Sequence, residues 1–478
     1  MKRRSFEMKI SKNRNLAVMM AILAMPVFGS PNVGRFLVRQ QWPWHDKVEI
    51  EYTLSGVEGP TDVTCEVYDG ETKLDIPESA FSGHRFSIAK NGLYRMTFDP
   101  SYAFLDRETP RTPVFRLTAE TQTPESRSQE VLYKIFDLPA RSVTDVTREA
   151  LLKGEWGSVE TSFAAIGPDY RTSLKDVLIW TGVTNDVAYK TTKIVLRKIP
   201  AGAFKGYVPG AAIPEADNMT WTFDYWIGVF EVTQAQREAL RACNSSDFKL
   251  QLNSSIWAPP GTRVIGDTLP EQYAQNYFIY GAAKRRNATS TGTDAAGFLN
   301  YLRRWYTLDG VCPYDFELPT QVQWVRAMRA GADSYYYDGI GKTKNEVSAE
   351  QYDALACNLN NGGFVTNDDG SVTTNIVSVG SFRPNAYGLY DMLGNVRELV
   401  REDGDTMVSS AAWAAGGENV IGKISAMSDY DTATAGGSFN EDGFGFDTQQ
   451  AHGPSSGTLN AGFRICMQAD ADGIKLLE

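Results

Sequence analysis

The sequence predicts an all-β domain over residues 30–138 joined to a mixed α+β domain. Three observations carry this reading. Val48, Ile50, Tyr52 and Leu54 alternate with Glu49, Glu51 and Thr53, the period-two pattern of a strand with one buried face. Further runs of this kind (VTCEVYDG, HRFSIA, YRMTF, PVFRLTAE) follow at short intervals between Gly-, Pro- and Asp-rich turns, the spacing of an immunoglobulin-like sandwich. Beyond residue 192 the pattern changes to capped helices set between stretches dense in Gly and Asn.

The second domain is legible element by element. TTKIVLRKIP predicts a strand through Ile194 and Leu196 that ends at Pro200. In EVTQAQREAL, Thr233 precedes Gln236 by three residues, and in LPTQVQWVRAMRAG, Thr320 precedes Gln323 likewise. Each pair is a capping box: the hydroxyl takes the N3 amide, and the glutamine reaches back to the cap amide. Gly331 stops the second helix. Between them, DAAGFLNYLRRWY places Phe298, Leu299, Leu302 and Trp305 on one helical face, read as core. Residues 139–192 show no strong period and read as a connecting segment; 471–478 read as a tail. From about Ala356 onward the chain is rich in loops, and a long irregular region inside a compact domain is usually functional or ion-stabilised.

Composition bounds the function. The 478 residues are 42% hydrophobic and 22% charged, an ordinary globular composition long enough for two or three domains. There are 47 basic and 58 acidic residues, a net charge of −11. Residues 1–29 hold six basic residues and one acidic, so the rest is more acidic still. Such a surface repels phosphate backbones, and no nucleic-acid partner is expected. Residues 1–29 read as a signal peptide: a basic stretch, an apolar run from Leu16 to Phe28, and cleavage near Gly29. That run is too short to span a bilayer comfortably, and no later segment approaches the roughly 20 apolar residues a spanning helix needs. The expectation is an exported protein, secreted, periplasmic or at the cell surface, with no transmembrane helix after signal removal. Asn218, Asn244, Asn253 and Asn287 head N-x-S/T sequons, which matter only where exported proteins are glycosylated.

None of the five cysteines forms a CxxC pair, and Cys65 shares the alternating face of Val63 and Val67, a core position. The three histidines, His45, His84 and His452, build no HExxH or other histidine metal motif. GxSxG, Walker and dinucleotide fingerprints are absent in proper context.

The order of motifs is more specific. YWIGVFEVTQAQ (225–236), LPTQVQWVRAMRAG (318–331), VGSFRPNAYGLYDMLGNVREL (379–399), GGSF (436–439) and AGFRI (461–465) occur in succession. Together they resemble the formylglycine-generating enzyme family, also called sulfatase-modifying factor domains. The resemblance runs from Lys193 to Gln468 within a domain placed at 193–470, and the N-terminal β domain is not part of it. It implies a C-type-lectin-like α+β fold with little regular secondary structure.

Active members of that family bind copper(I) through two cysteines shortly after the GGS motif, and soft thiolates are what copper(I) requires. By spacing, those positions fall here at Glu441 and Phe446, so formylglycine generation is not expected. Cys466, just past GFR, falls where a buried strand is expected. The related iron-dependent sulfoxide synthases need a facial set of histidines, and His452 stands alone in this domain. Copper and iron are therefore not expected cofactors. Arg397 also departs from the family, standing where a tryptophan is common.

The resemblance further implies a structural calcium held by the side chains of Asp391 and Glu398 and the carbonyls of Gly394 and Val396. A second site would begin at Asn358 and Leu359, with Asp368 or Asp369 as its carboxylate. Calcium takes six to eight oxygens of these kinds. The family's substrate groove maps to a stretch holding Phe439, Asn440, Glu441, Asp442, Phe444, Phe446 and Gln450. Aromatics interleaved with amides and acids read as a recognition surface. The expectation is thus an exported, non-catalytic domain binding a protein or glycan ligand. The alternative is an oxidoreductase of the same superfamily with altered metal ligands, using Cys466 or the Glu441/Asp442 pair.

Overall fold

The alternating N-terminal strands form two four-stranded sheets around one core. The structure is a computed structural model describing residues 6–9, 30–40, 47–58, 61–74, 76, 80–85, 88, 91–98, 100, 113–121, 130–160, 178–200, 202–206, 214, 217–221, 224–243, 264–272, 274, 279, 297–306, 314, 316–337, 341, 343–366, 372–401, 410–418, 432–441, 449–451 and 460–468. One sheet runs in the order Asn32–Gln40, Val48–Ser55, Gly92–Phe98, Phe81–Gly83; the other Phe6–Lys9, Pro113–Thr121, Thr61–Asp69, Thr72–Lys73, so that Phe6–Lys9, within the stretch expected as a signal peptide, pairs here with Pro113–Thr121. Val48, Ile50, Tyr52 and Leu54 turn inward from the first, and Val63, Cys65 and Val67 from the second. Phe98 and Phe115 meet edge to face across the core, with ring centroids 5.5 Å apart. Cys65 is packed there as a small hydrophobe.

Strand Val131–Asp137, inside the span expected for the β domain, pairs instead with Lys193–Ile199. On its other edge it pairs with Ser142–Thr147, in the stretch expected as a connector. The reason is packing. Tyr133 and Ile135 face a cluster containing Leu178, Trp180 and Val195, while Phe136 faces a cluster containing Ile194 and Leu196. The sheet so begun has six strands, all antiparallel: Ser142–Thr147, Val131–Asp137, Lys193–Ile199, Tyr225–Gly228, Cys466–Gln468 and Phe316–Glu317. Alternate residues feed different cores; Tyr225 and Ile227 enter one cluster and Trp226 another. This double burial explains the near-continuous apolar runs of its central strands.

The helices follow their caps. Thr233 and Thr320 each accept the N3 amide at 3.1 and 3.2 Å, while Gln236 and Gln323 return the bond to the cap amides at 3.0 Å in both. A third box, Ser348 with Gln351, starts helix Ala349–Asp353. Helix Gln321–Arg329 is buried on every side, so it threads the core rather than lying on it. It ends with Ala330 and Gly331 both left-handed (φ 47° and 82°). Phe298, Leu299 and Leu302 are buried as expected, with Trp305 packed at the margin of their cluster. A four-stranded sheet, Gln449–Ala451, Thr432–Ala435, Arg397–Val400 and Ala461–Phe463, completes the domain. Among the described residues no helix is long and apolar enough to cross a membrane.

Thr320→Ala removes a buried cap and is expected to cost about 1–2 kcal/mol in urea unfolding. A loss below about 0.3 kcal/mol would contradict the role given to this box.

Candidate functional site

The segment Asp391–Glu398 (DMLGNVRE) is a tight turn feeding a strand, and its residue types follow from its backbone. Asp391, Gly394 and Asn395 all lie in the left-handed region (φ 54°, 74° and 57°), where Gly, Asn and Asp are tolerated best. At Gly394 a side chain is excluded outright, because a Cβ would stand 2.1 Å from the Cys357 carbonyl oxygen. Asn395 is the linchpin of the turn. Its Nδ2 donates to Glu231 Oε2 at 2.8 Å, its Oδ1 accepts from Val377 N at 3.0 Å, and its carbonyl accepts from Phe439 N at 2.9 Å.

Just beyond, Glu398 and Arg464 form a fully buried ion pair. Arg464 Nε and Nη2 reach Glu398 at 2.7–3.1 Å, and Trp324 Nε1 donates to Glu398 Oε2 at 2.7 Å. The remaining guanidinium hydrogens go to the carbonyls of Gly228, Val229, Tyr390 and Asp391. Groups from 225–236, 318–331, 379–399 and 461–465 thus converge on the Glu398–Arg464 pair, and 436–439 joins through Gly394 N donating to Gly436 O at 2.7 Å. Two further carboxylates are buried here. Burial, reinforced by the charges of Asp391 and Glu398, holds Glu231 well above the usual carboxylate range. Burial pushes Asp391 up to about 6, although Gly380 N donates to its Oδ2 at 2.5 Å. Burial also works against the charge of Arg464, but Glu398, Glu231 and Asp391 together keep its pKa above the ordinary value.

The expected calcium donors sit at this cluster. Asp391 Oδ1 is buried without a hydrogen-bond partner, the kind of atom a cation would take. Glu398, by contrast, has both oxygens engaged by Arg464 and Trp324. Among the described residues no three His, Cys, Asp or Glu side chains form a metal-holding group, so an ion here would lean on backbone carbonyls. At the second expected position, Asn358 is buried and its Oδ1 already accepts from Asn360 N, while its Nδ2 donates to Asp353. Asp368 and Asp369 lie outside the described residues.

The groove residues divide. Phe439 is buried against Cys357, Ile376 and Val396 and belongs to the core. Asn440 is exposed and Glu441 half-buried. Asp442, Phe444 and Phe446 lie outside the described residues, and Gln450 is described only as backbone, paired with Ala433. Glu441 accepts Arg397 in a two-pronged ion pair, Nε to Oε1 at 2.6 Å and Nη2 to Oε2 at 2.5 Å. Ser438 Oγ and Asn460 Nδ2 also donate to Oε1, at 2.8 and 3.3 Å. Leu359 N donates to the Glu441 carbonyl at 3.0 Å, tying the Asn358–Leu359 loop to this cluster. Both carboxylate oxygens of Glu441 therefore face a guanidinium, an arrangement unsuited to a soft cation such as copper(I). Cys466 is buried in its strand. Cys357 is equally buried, and burial followed by Glu231 and Asp391 pushes its thiol up to about 12. A thiol so raised offers no thiolate near neutral pH at Cys357.

Glu231, Trp324 and Arg464 form one network that no local pattern marks. All three stand within the quoted motifs, which was the available signal.

The family model described as "Sulfatase-modifying factor enzyme 1-like domain" matches residues 185–469. The chain belongs to this family. Similar solved structures include PvdO from Pseudomonas aeruginosa (18% identity, TM-score 0.39, covering 57% of this chain and 94% of PvdO). Treponema denticola variable protein 1 (17% identity, TM-score 0.38, 57% and 95%) and CarF (18% identity, TM-score 0.36, 57% and 98%) are also similar. No curated protein sequence matches the chain.

Arg464→Met leaves Glu398 buried with only Trp324 as partner, and is expected to cost about 3–5 kcal/mol in urea unfolding. Pairing it with Glu398→Leu should recover part of that loss. Equal losses in single and double variants would contradict the coupling.

Proposed function

We propose that this chain is an exported, non-catalytic recognition member of the family, in which the segment that carries copper chemistry elsewhere serves as a ligand-binding surface. The single observation that supports this is the Arg397–Glu441 ion pair. On the family resemblance, Arg397 stands at a tryptophan position and Glu441 at a copper cysteine position, and the two departures are bonded to each other at 2.5 and 2.6 Å. A carboxylate already satisfied by a guanidinium gains little from copper(I), which selects thiolates. What the position retains is a fixed set of hydrogen-bonding groups at the end of a rigid sheet. Copper(I) chelator competition and oxygen uptake with a thiol reductant test this. The expected result is no stoichiometric copper and no oxygen consumption; one equivalent of copper with turnover would overturn the reading.

Calcium belongs to the same reading as a structural ion. It would be held by the unpartnered Asp391 Oδ1 and the carbonyls of Gly394 and Val396, with Glu398, already bonded to Arg464 and Trp324, beside it, and would offset the excess charge of three buried carboxylates around one guanidinium. Millimolar calcium is then expected to raise the melting temperature by several degrees, and Asp391→Asn should abolish the shift. An unchanged melting temperature across that range would remove calcium from the account.

A further inference from the structure

Strand Pro113–Thr121 is a sheet edge whose cover can be removed. On one side it pairs with Thr61–Asp69 along its whole length, from Thr121 opposite Thr61 to Pro113 opposite Asp69, without a bulge. On the other side, among the described residues, stands only the short strand Phe6–Lys9. Their register sets Phe6 opposite Leu117, Glu7 opposite Arg116, Met8 opposite Phe115 and Lys9 opposite Val114. The cover alternates apolar and charged residues, and its apolar pair is in register with Phe115 and Leu117, which enter the core of the β domain. An acidic residue stands opposite Arg116. The edge itself (PVFRLTAET) has neither a lysine nor a proline beyond Pro113, so it lacks the devices that usually keep a strand edge from pairing with another chain.

Resting on the export reading above, we propose that loss of residues 1–29 opens this edge and that a second copy of this chain fills it, its own Pro113–Thr121 pairing antiparallel across a twofold axis. The unpaired N–H and C=O groups of an opened edge are a template for another strand. Removing the cover leaves the rest of the sandwich paired, because Asn32–Gln40 is held by Val48–Ser55 in the other sheet. A twofold axis through one residue pairs odd positions with odd and even with even, so Phe115, Leu117 and Ala119 keep to the core side in both copies. Centred on Thr118, the axis sets Arg116 opposite the second copy's Glu120, and does so twice. Glu120 then takes the register place that Glu7 holds in the closed chain. Arg116 lies over the Tyr68 ring, 3.9 Å from its centroid, and Glu120 is exposed. Opposite charges across an antiparallel pair favour this register. An axis at Leu117 would instead set Arg116 opposite Thr118 and Glu120 opposite Val114, losing both charge pairs.

The test expresses the full chain in a secreting host, reads the first residue of the exported form by N-terminal sequencing, and follows its mass by analytical ultracentrifugation across the micromolar range. The expected result is a chain beginning near Ser30 that dimerises. Glu120→Arg sets like charges opposite each other at two symmetric places and should weaken the dimer at least about tenfold. Thr118→Arg, which sets two like charges at the axis, should do the same. Glu120 is exposed, so its variant should keep the melting temperature of the isolated parent monomer even if the Thr118 variant does not. A processed chain that stays monomeric, or a dimer that ignores both substitutions, would overturn the interface alone. A processed monomer that binds a synthetic FEMK peptide would show an open edge with a different strand donor, and would overturn the second copy as its occupant. A chain that keeps residues 1–29 would overturn the export reading and this interface together, so the sequenced terminus separates the two failures.

Discussion

A buried arginine sets the architecture of this domain. Placing the Arg464 guanidinium in the interior would cost many kilocalories if its hydrogens were unmet, so the chain must bring acceptors to it. It does so from two segments, the Gly228–Val229 and Tyr390–Asp391 carbonyls, and it meets the charge with Glu398. Those acceptors come from loops rather than regular elements. The polar network explains how a domain with short strands and few helices keeps one arrangement of its long irregular stretches. Three buried carboxylates, Glu231, Asp391 and Glu398, surround this one guanidinium.

A second arginine ties the strand to the GGS turn. Arg397 begins the strand beside Glu398, so its position is inherited from the Arg464 network. Glu441 follows the GGS turn, which is anchored through Phe439 and Gly436 to the Asn395 turn. With both ends fixed by the core, their side chains meet at hydrogen-bonding distance. The pair fixes the contact between strand and turn.

Much of this was legible in the sequence because local rules governed it. The capping boxes at Thr233 and Thr320, the alternation of Val48 to Leu54 and the buried strand around Cys466 each depend on neighbours in sequence. The left-handed turn was foreshadowed by the Asp, Gly and Asn of DMLGN. Pairings set by distant packing were not legible. Strand Val131–Asp137 reads as the last strand of the β domain, yet its apolar faces are completed only by residues near 178–196. Phe439 reads as a groove aromatic because the family resemblance maps the groove to its segment, but Cys357 and Val396 draw it inward. The partnership of Arg397 and Glu441, 44 residues apart, had no local signature beyond their being two departures from one family pattern.

The most direct measurement of that partnership is a double-mutant cycle, with Arg397→Met and Glu441→Gln unfolded in urea singly and together. A replacement acting as a unit gives a coupling energy of at least about 1 kcal/mol, within the range seen for residues in one ion-pair network. Additive losses would show that the two side chains act independently, and would contradict the claim that this pair holds the strand and the turn together as one unit.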